Sequence, residues 1–375
     1  MKWSLPVHLW TRFLILFLLT ALAPTTADAG ETYSGIKDQS TTVTTLQKTQ
    51  AEPYHTLREK KHPATTAVTG VLPGRFRFGG LIEIEAAADN NDQDGDSSSI
   101  TLATVELGLD AKINEYISGH LLMLFEEDST EPAELDEATI TISLPRSGEL
   151  TLGKIYLPFG VFNSHLITDP QTLELGEISE RSALLRYAVG AFQFSAAIYS
   201  GDTVKSRKSK LRDYTASIIA TPNKWLNFGI SYISNIADSN ADLTRANGPG
   251  SSTKDNVSGT SAFLNLTRNQ WGLNLEYLGA NRHFSAAALD SDGDGKGERP
   301  VTYNIELAYA MSKRMEFAAR LEGNKDFFDF PERQYGTALT YAFCENVSVS
   351  LEYLHGKYKD NGNRDLVTAQ LAIVF

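Results

Sequence analysis

Between residues 158 and 180 the chain gathers His165, Asp169, Glu174 and Glu177 beside Phe159 and Phe162. An imidazole and three carboxylates can hold a cation, pass a proton or line the path of a polar solute. The two rings can anchor the same segment in an apolar seat. A second constellation, DSDGDGKGE at 290–298, sets Asp290, Asp292 and Asp294 at alternate positions around glycine, the way calcium loops present oxygen ligands. The stretch DNNDQDGD at 89–96 does so less regularly. Counted from Asp290, position twelve is Val301 and not the bidentate glutamate such a loop needs, so the expectation is loosely bound Ca2+ and no resident cofactor. The other histidines of the mature chain, His55, His62, His120, His283 and His355, stand in no spacing that marks a nucleophile and its base, which argues against an enzyme.

The elements that must position these residues follow from hydrophobic periodicity. In QWGLNLEYL, Trp271, Leu273, Leu275 and Tyr277 share one face and Gln270, Gly272, Asn274 and Glu276 the other, a period of two and hence a strand. The same reading gives strands over 73–87, 99–111, 115–126, 134–144, 148–157, 181–188, 191–200, 212–221, 224–234, 259–268, 270–280, 300–311, 313–323, 333–343, 346–356 and 364–375. Alternation alone also fits a soluble sandwich. The connections decide. Those near Asn114, at 145–148, 189–190 and 222–223, near Asn269 and Ser312, and at 344–346 are short. Those at 88–98, 127–133, 158–180, 201–211, 235–258, 281–299, 324–332 and 357–363 are long and polar. Strict alternation of short and long connections along sixteen strands predicts an all-β, antiparallel up-and-down transmembrane barrel of the outer-membrane porin type, with periplasmic turns and extracellular loops.

The chain begins with Lys2 and Arg12 before the apolar run Phe13–Ala23 and an Ala27-Asp28-Ala29 cleavage pattern. Residues 1–29 therefore read as a cleaved signal peptide; the run is shorter than the roughly 20 residues of a spanning helix. Residues 30–72, Thr- and Lys-rich with few large apolar residues, read as a flexible periplasmic extension, and 73–375 as the barrel. The net charge of −12 argues against nucleic acid as a partner. Cys344 has no second cysteine to pair with and is expected to be a buried free thiol. The terminal Phe375 closes an alternating Val367, Ala369, Leu371, Ile373 series and offers the aromatic end that barrel-assembly machinery reads. Outer-membrane lipid and lipopolysaccharide are the surroundings this implies, and a homotrimer is compatible with it.

The polar faces carry the functional reading. They place Arg75, Arg77, Glu83, Glu85, Glu106, His120, Arg186, Glu276, Glu306, Glu316, Arg320 and Glu352 inward. So many charges in a packed core would cost several kcal/mol each, whereas a sixteen-stranded barrel leaves an aqueous channel. Acids outnumber arginines in this set, so the pore should favour cations and neutral solutes. Segment 158–180 is the third long connection. Pro158 and Gly160 allow it to turn, Phe159 and Phe162 can pack on the inner wall, and His165, Asp169, Glu174 and Glu177 can meet the passing solute.

The stretches RFRFGGLIEIEA, ATVELGLDAKINEYISGHLLMLFEE, DEATITI, GKIYLPFGVFNSHLITDPQTLELGE and VGAFQFSAAIYSG resemble the LbtU-like, legiobactin-receptor-type siderophore porin family. That resemblance, clear over about residues 73–205, implies an outer-membrane channel for iron-siderophore uptake without a TonB-type plug. A chain of 375 residues is too short for both a 22-stranded barrel and a plug. The alternatives from the residues themselves are a general porin, one selective for phosphate, sugar or another polar nutrient, and a structural or adhesive barrel.

Overall fold

The computed structural model describes residues 70–72, 75–127, 132–201, 203, 211–241, 243 and 255–375. The expected signal peptide, and the extension up to residue 69, lie outside the described residues. In chain order the elements are β1 (Gly70–Leu72), β2 (Phe76–Asn91), β3 (Ser97–Lys112), β4 (Ile117–Phe125), β5 (Glu134–Leu144), β6 (Gly148–Tyr156), α1 (Gln171–Gly176), β7 (Ser179–Val189), β8 (Phe192–Tyr199) and β9 (Asp213–Asn223). There follow β10 (Leu226–Ile233), β11 (Gly259–Arg268), β12 (Trp271–Ala280), β13 (Val301–Ala310), β14 (Met315–Lys325), β15 (Arg333–Cys344), β16 (Val347–Lys357) and β17 (Asn363–Val374).

Strands β2 to β17 are the sixteen expected ones. Each pairs antiparallel with the next, and β17 closes on β2 from Arg364↔Asn91 to Val374↔Leu81. The short β1 adds Gly70↔Phe78 to Leu72↔Phe76 on β2, so the sheet begins at Gly70. The seam is completed by Phe375, whose amide donates to the Gly80 carbonyl at 3.0 Å and whose carbonyl accepts from the Gly80 amide at 2.9 Å. A Cβ on Gly80 would lie 2.5 Å from the Phe375 ring, so only glycine lets the terminal ring sit there.

The two faces are inverted relative to a soluble sheet. Leu351 is 54% exposed while its neighbour Glu352 is 1% exposed; Val367 is 44% exposed while Thr368 is 2% exposed. Water as the outer solvent would penalise that arrangement, and hydrocarbon rewards it. Aromatic residues gather on the outer face at both ends. The Trp271 and Tyr309 rings are 4.5 Å apart near the short turns, and Tyr335 and His355 are 5.0 Å apart near the long loops. The short turns pass through positive φ: Asn269, a residue type that tolerates it, at 56° between β11 and β12, and Arg146 and Ser147 at 60° in the β5–β6 hairpin.

One expectation is corrected here. Cys344 is exposed. It ends β15 at a register shift between Ala342 and Cys344, in a tight turn at the rim where no core exists to cover it.

Candidate functional site: a loop seated in the lumen

After β6 the chain leaves the wall. The Leu157 amide donates to the Ile178 carbonyl at 2.8 Å, so residues 158–177 form an excursion closed at its neck. Gly160, at φ 93°, turns it, and its amide donates to Ser231 Oγ on β10 at 2.9 Å. Phe159 and Phe162, 1% and 8% exposed, then enter an apolar cluster with Leu173, Leu175, Leu184, Tyr199, Ile233 and Leu278. Burial of each ring contributes about 1.5–3 kcal/mol toward the ordering entropy of the loop, and its hydrogen bonds to the wall must supply the rest. The short α1, unforeseen from the sequence, starts after Pro170 and buries all its residues except Glu174.

Beyond the aromatic anchor the loop runs across the inward faces of β12–β16. The Asn163 carbonyl accepts from Asn274 Nδ2 at 3.4 Å. The His165 amide donates to Glu306, and His165 Nδ1 lies 2.7 Å from Glu316 Oε1. The Ile167 amide donates to Glu352 Oε2 at 2.7 Å; the Thr168 amide reaches the same oxygen at 3.1 Å, and Thr168 Oγ1 donates to Oε1 at 2.6 Å. The Gln171 amide donates to Glu322 Oε2 at 2.8 Å, and Thr172 Oγ1 donates to Glu276. Arg320 works in the opposite sense: Nη1 donates to the Thr168 carbonyl at 2.8 Å and Nη2 to Ser164 Oγ at 2.6 Å, while Nε binds Glu306 Oε2 at 3.0 Å. These partners all point into the barrel, so the third long connection lies inside the lumen.

This corrects the role expected of four wall residues. Glu276, Glu306, Arg320 and Glu352 face inward, yet they are 6%, 0%, 3% and 1% exposed because the loop covers them. They do not meet solvent in an open channel. A buried, mostly non-helical segment must find acceptors for its amides, and carboxylates on the facing wall supply them. Glu316 remains half-exposed beside His165.

The other expected pore residues are distributed over the rest of the wall. Glu85 accepts from Gln370 Nε2 at 2.7 Å, His120 Nδ1 lies 2.7 Å from Asp110, and Glu106 is half-buried on β3. Arg77 is exposed at the short-turn end of β2. Glu83 and Arg186 face inward but are 1% and 5% exposed. Arg75 lies outside the wall, in the turn before β2, where its carbonyl accepts from the Lys112 amide at 2.8 Å. From the loop itself, Asp169 and Glu174 stay partly exposed, and Glu177 is bound by Asn240 Nδ2 at 3.2 Å. The accessible inward charge is thus still mainly carboxylate, now from Glu85, Glu106, Asp110, Asp169 and Glu174. Ser231, Thr168, Gln171 and Asn324 also hold the loop. No local sequence signal marks them, since their partners lie some 70 to 185 positions away.

In the β12–β13 loop Asp290, Asp292 and Asp294 each present a carboxylate oxygen within 4.8 Å of the others. Two already have an ammonium partner: Lys359 Nζ is 3.1 Å from Asp292 and Lys296 Nζ is 2.8 Å from Asp294. The hydrogen bond from Lys296 holds the Asp294 carboxyl below the usual carboxylate range. The bond to Asp292 raises Lys359.

A closed sixteen-strand barrel with apolar residues outward and a loop narrowing its polar lumen is an outer-membrane channel of the porin type. Solved structures with this architecture are OmpF of Salmonella typhi (TM-score 0.61, 10% identity, 81% of this chain and 99% of that one) and the outer-membrane channel DcaP of Acinetobacter baumannii (0.58, 13%, 81% and 99%). OprB of Pseudomonas putida has it too (0.54, 12%, 80% and 94%). At these identities the likeness is one of fold; the apolar outer face of the closed barrel is what suits the chain to the bacterial outer membrane. In sequence the chain is similar to a UPF0422 protein of Legionella pneumophila strain Philadelphia 1, 26% identical over 294 residues, and to one of Coxiella burnetii, 24% identical over 301 residues. These matches take in 70% and 75% of this chain, and 54% and 64% of the relatives, so the chain spans about half to two thirds of their length. No family model matches it.

Proposed function

We infer that the protein is a diffusion channel for small polar solutes, neutral or cationic, whose selectivity is set where the seated loop faces the opposite wall. The observation that carries this reading is the seat itself: five wall carboxylates and Arg320 bind the loop, while Asp169 and Glu174 stay partly accessible. Carboxylates facing a narrow aqueous passage favour cations. Planar-bilayer recordings in a salt gradient test it. The reversal potential should have the cationic sign, and Asp169→Asn with Glu174→Gln should shift it toward zero. An anionic sign in the wild type would refute the charge assignment.

Passage of an iron-siderophore complex is the finer reading. The resemblance of residues 73–205 to siderophore porins favours it, and the passage would have to lie beside the loop, toward β2–β5. Restored growth of a deletion strain on defined ferric siderophores is its test; equal growth without the gene removes it. In either reading a divalent ion at Asp290, Asp292 and Asp294 would have to displace Lys296 and Lys359 from two of them.

A further inference from the structure

At the extracellular mouth, the β12–β13, β14–β15, β16–β17 and β2–β3 loops enclose a cleft of about 570 Å³. It is separate from the seated loop yet joined to it. Asn324, in the cleft wall, donates to Gln171 Oε1 of α1 at 2.8 Å and to the Pro331 carbonyl at 2.9 Å, and Gln171 Nε2 donates to the same carbonyl at 3.0 Å. A solute held here therefore sits at the mouth next to α1 of the seated loop.

The lining is aromatic and acidic. Phe327 and Phe330 stack with centroids 4.8 Å apart at 24°, and Phe328 and Tyr358 complete the ring set. Asp292, Asp326, Glu332 and Asp360 face two lysines, Lys325 and Lys359. The excess of carboxylate disfavours an anion, and aromatic faces with carboxylates nearby are how proteins hold organic ammonium groups. The chain supplies its own example. Lys359 Nζ stands 4.5 Å from the centroid of the Phe328 ring and 3.1 Å from Asp292 Oδ2, so one ammonium already occupies a face and a carboxylate of the cleft.

We propose that this cleft is a recruitment site for small organic cations carrying an apolar or aryl body, with Lys359 as the internal ammonium that such a solute displaces. The proposal rests on the channel reading and names a substrate class for it. Binding raises the local concentration of solute above the constriction; it needs no movement of the barrel.

The probe is 2-phenylethylammonium, with benzenesulfonate as the anion of similar shape and maltose as a neutral stacking control. Isothermal titration on the detergent-solubilised full chain reads binding whether or not the chain conducts, and block of potassium current reads it in the channel. The expected result is binding of the ammonium probe alone, with block stronger from the extracellular side. Phe328→Ala should weaken it about fivefold or more. Lys359→Met should tighten it, because the competing ammonium is gone; a merely structural lysine would loosen the site instead. Equal binding of benzenesulfonate or maltose, no binding at all, or weaker binding in Lys359→Met overturns the proposal. Potassium conductance in the absence of probe tests the channel reading separately, so loss of one is distinguishable from loss of the other.

Discussion

Replacing Glu352 by Gln should loosen the lumen loop, and the structure gives the size of the effect. Glu352 is 1% exposed and receives the Ile167 amide, the Thr168 amide and Thr168 Oγ1. A glutamine offers one oxygen in place of two, and its amide group confronts donors. Each hydrogen bond to a charged acceptor contributes about 1.5–3 kcal/mol. Loss of one of these, partly offset by no longer burying a charge, leaves about 2 kcal/mol. That is about a thirtyfold rise in the unseated fraction of the loop. The assay is single-channel recording, in which the variant should show more frequent current fluctuations. Glu276→Gln is the internal contrast. Its Oε2 accepts from Thr172, a bond that a glutamine carbonyl retains, and its buried Oε1 has no hydrogen-bond partner among the described residues. Because no loop donor loses its acceptor, this substitution should leave the current as quiet as in the wild type. Equal noise in Glu352→Gln and wild type, or more noise in Glu276→Gln than in Glu352→Gln, would refute the idea that wall carboxylates seat the loop.

Three further outcomes are expected. Deleting Phe375 removes both backbone bonds at the Gly80 seam and its ring contact with Phe78, and should reduce the yield of heat-modifiable barrel in outer membranes without altering expression. Asp255 accepts the Ser285 amide at 2.6 Å, which lowers its pKa from 3.8; the junction it makes between two extracellular loops is present above that value and lost as pH falls below it. Limited proteolysis should therefore cut these loops faster once the pH is well below the ordinary carboxylate range than at pH 6, and Asp255→Asn should remove the difference. In intact cells a cysteine at Ser291 should react with an impermeant reagent and one at Asn269 should not, with native Cys344 as the unreactive periplasmic control; the reverse pattern sinks the topology.

The barrel was legible because its signal is local. Leu351 beside Glu352, or Val367 beside Thr368, shows its period within a few residues, and the turn at 145–148 is marked by Pro145 and Gly148. The β6–β7 segment was legible as an excursion, since Pro158, Gly160 and its mixed composition fit no strand. What could not be read was its seat. Glu276, Glu306 and Glu352 look like pore-lining acids in the sequence, and only the fold brings them under a threonine hydroxyl, for Glu276, and amides, for the other two, more than 100 positions away. Alternation tells which side of the wall a residue faces, not what lies against it. Helix α1 was missed because it has six residues and no side-chain cap, too short for a helical period to emerge.

The central claim is that segment 158–177 narrows the lumen from within. Planar-bilayer recording of the wild type and of a chain lacking residues 163–174 tests it most directly. The deletion should leave a heat-modifiable barrel whose single-channel conductance is larger and whose discrimination between cations and anions is weaker. A folded deletion variant with unchanged conductance and selectivity would place the loop outside the permeation path and contradict the account.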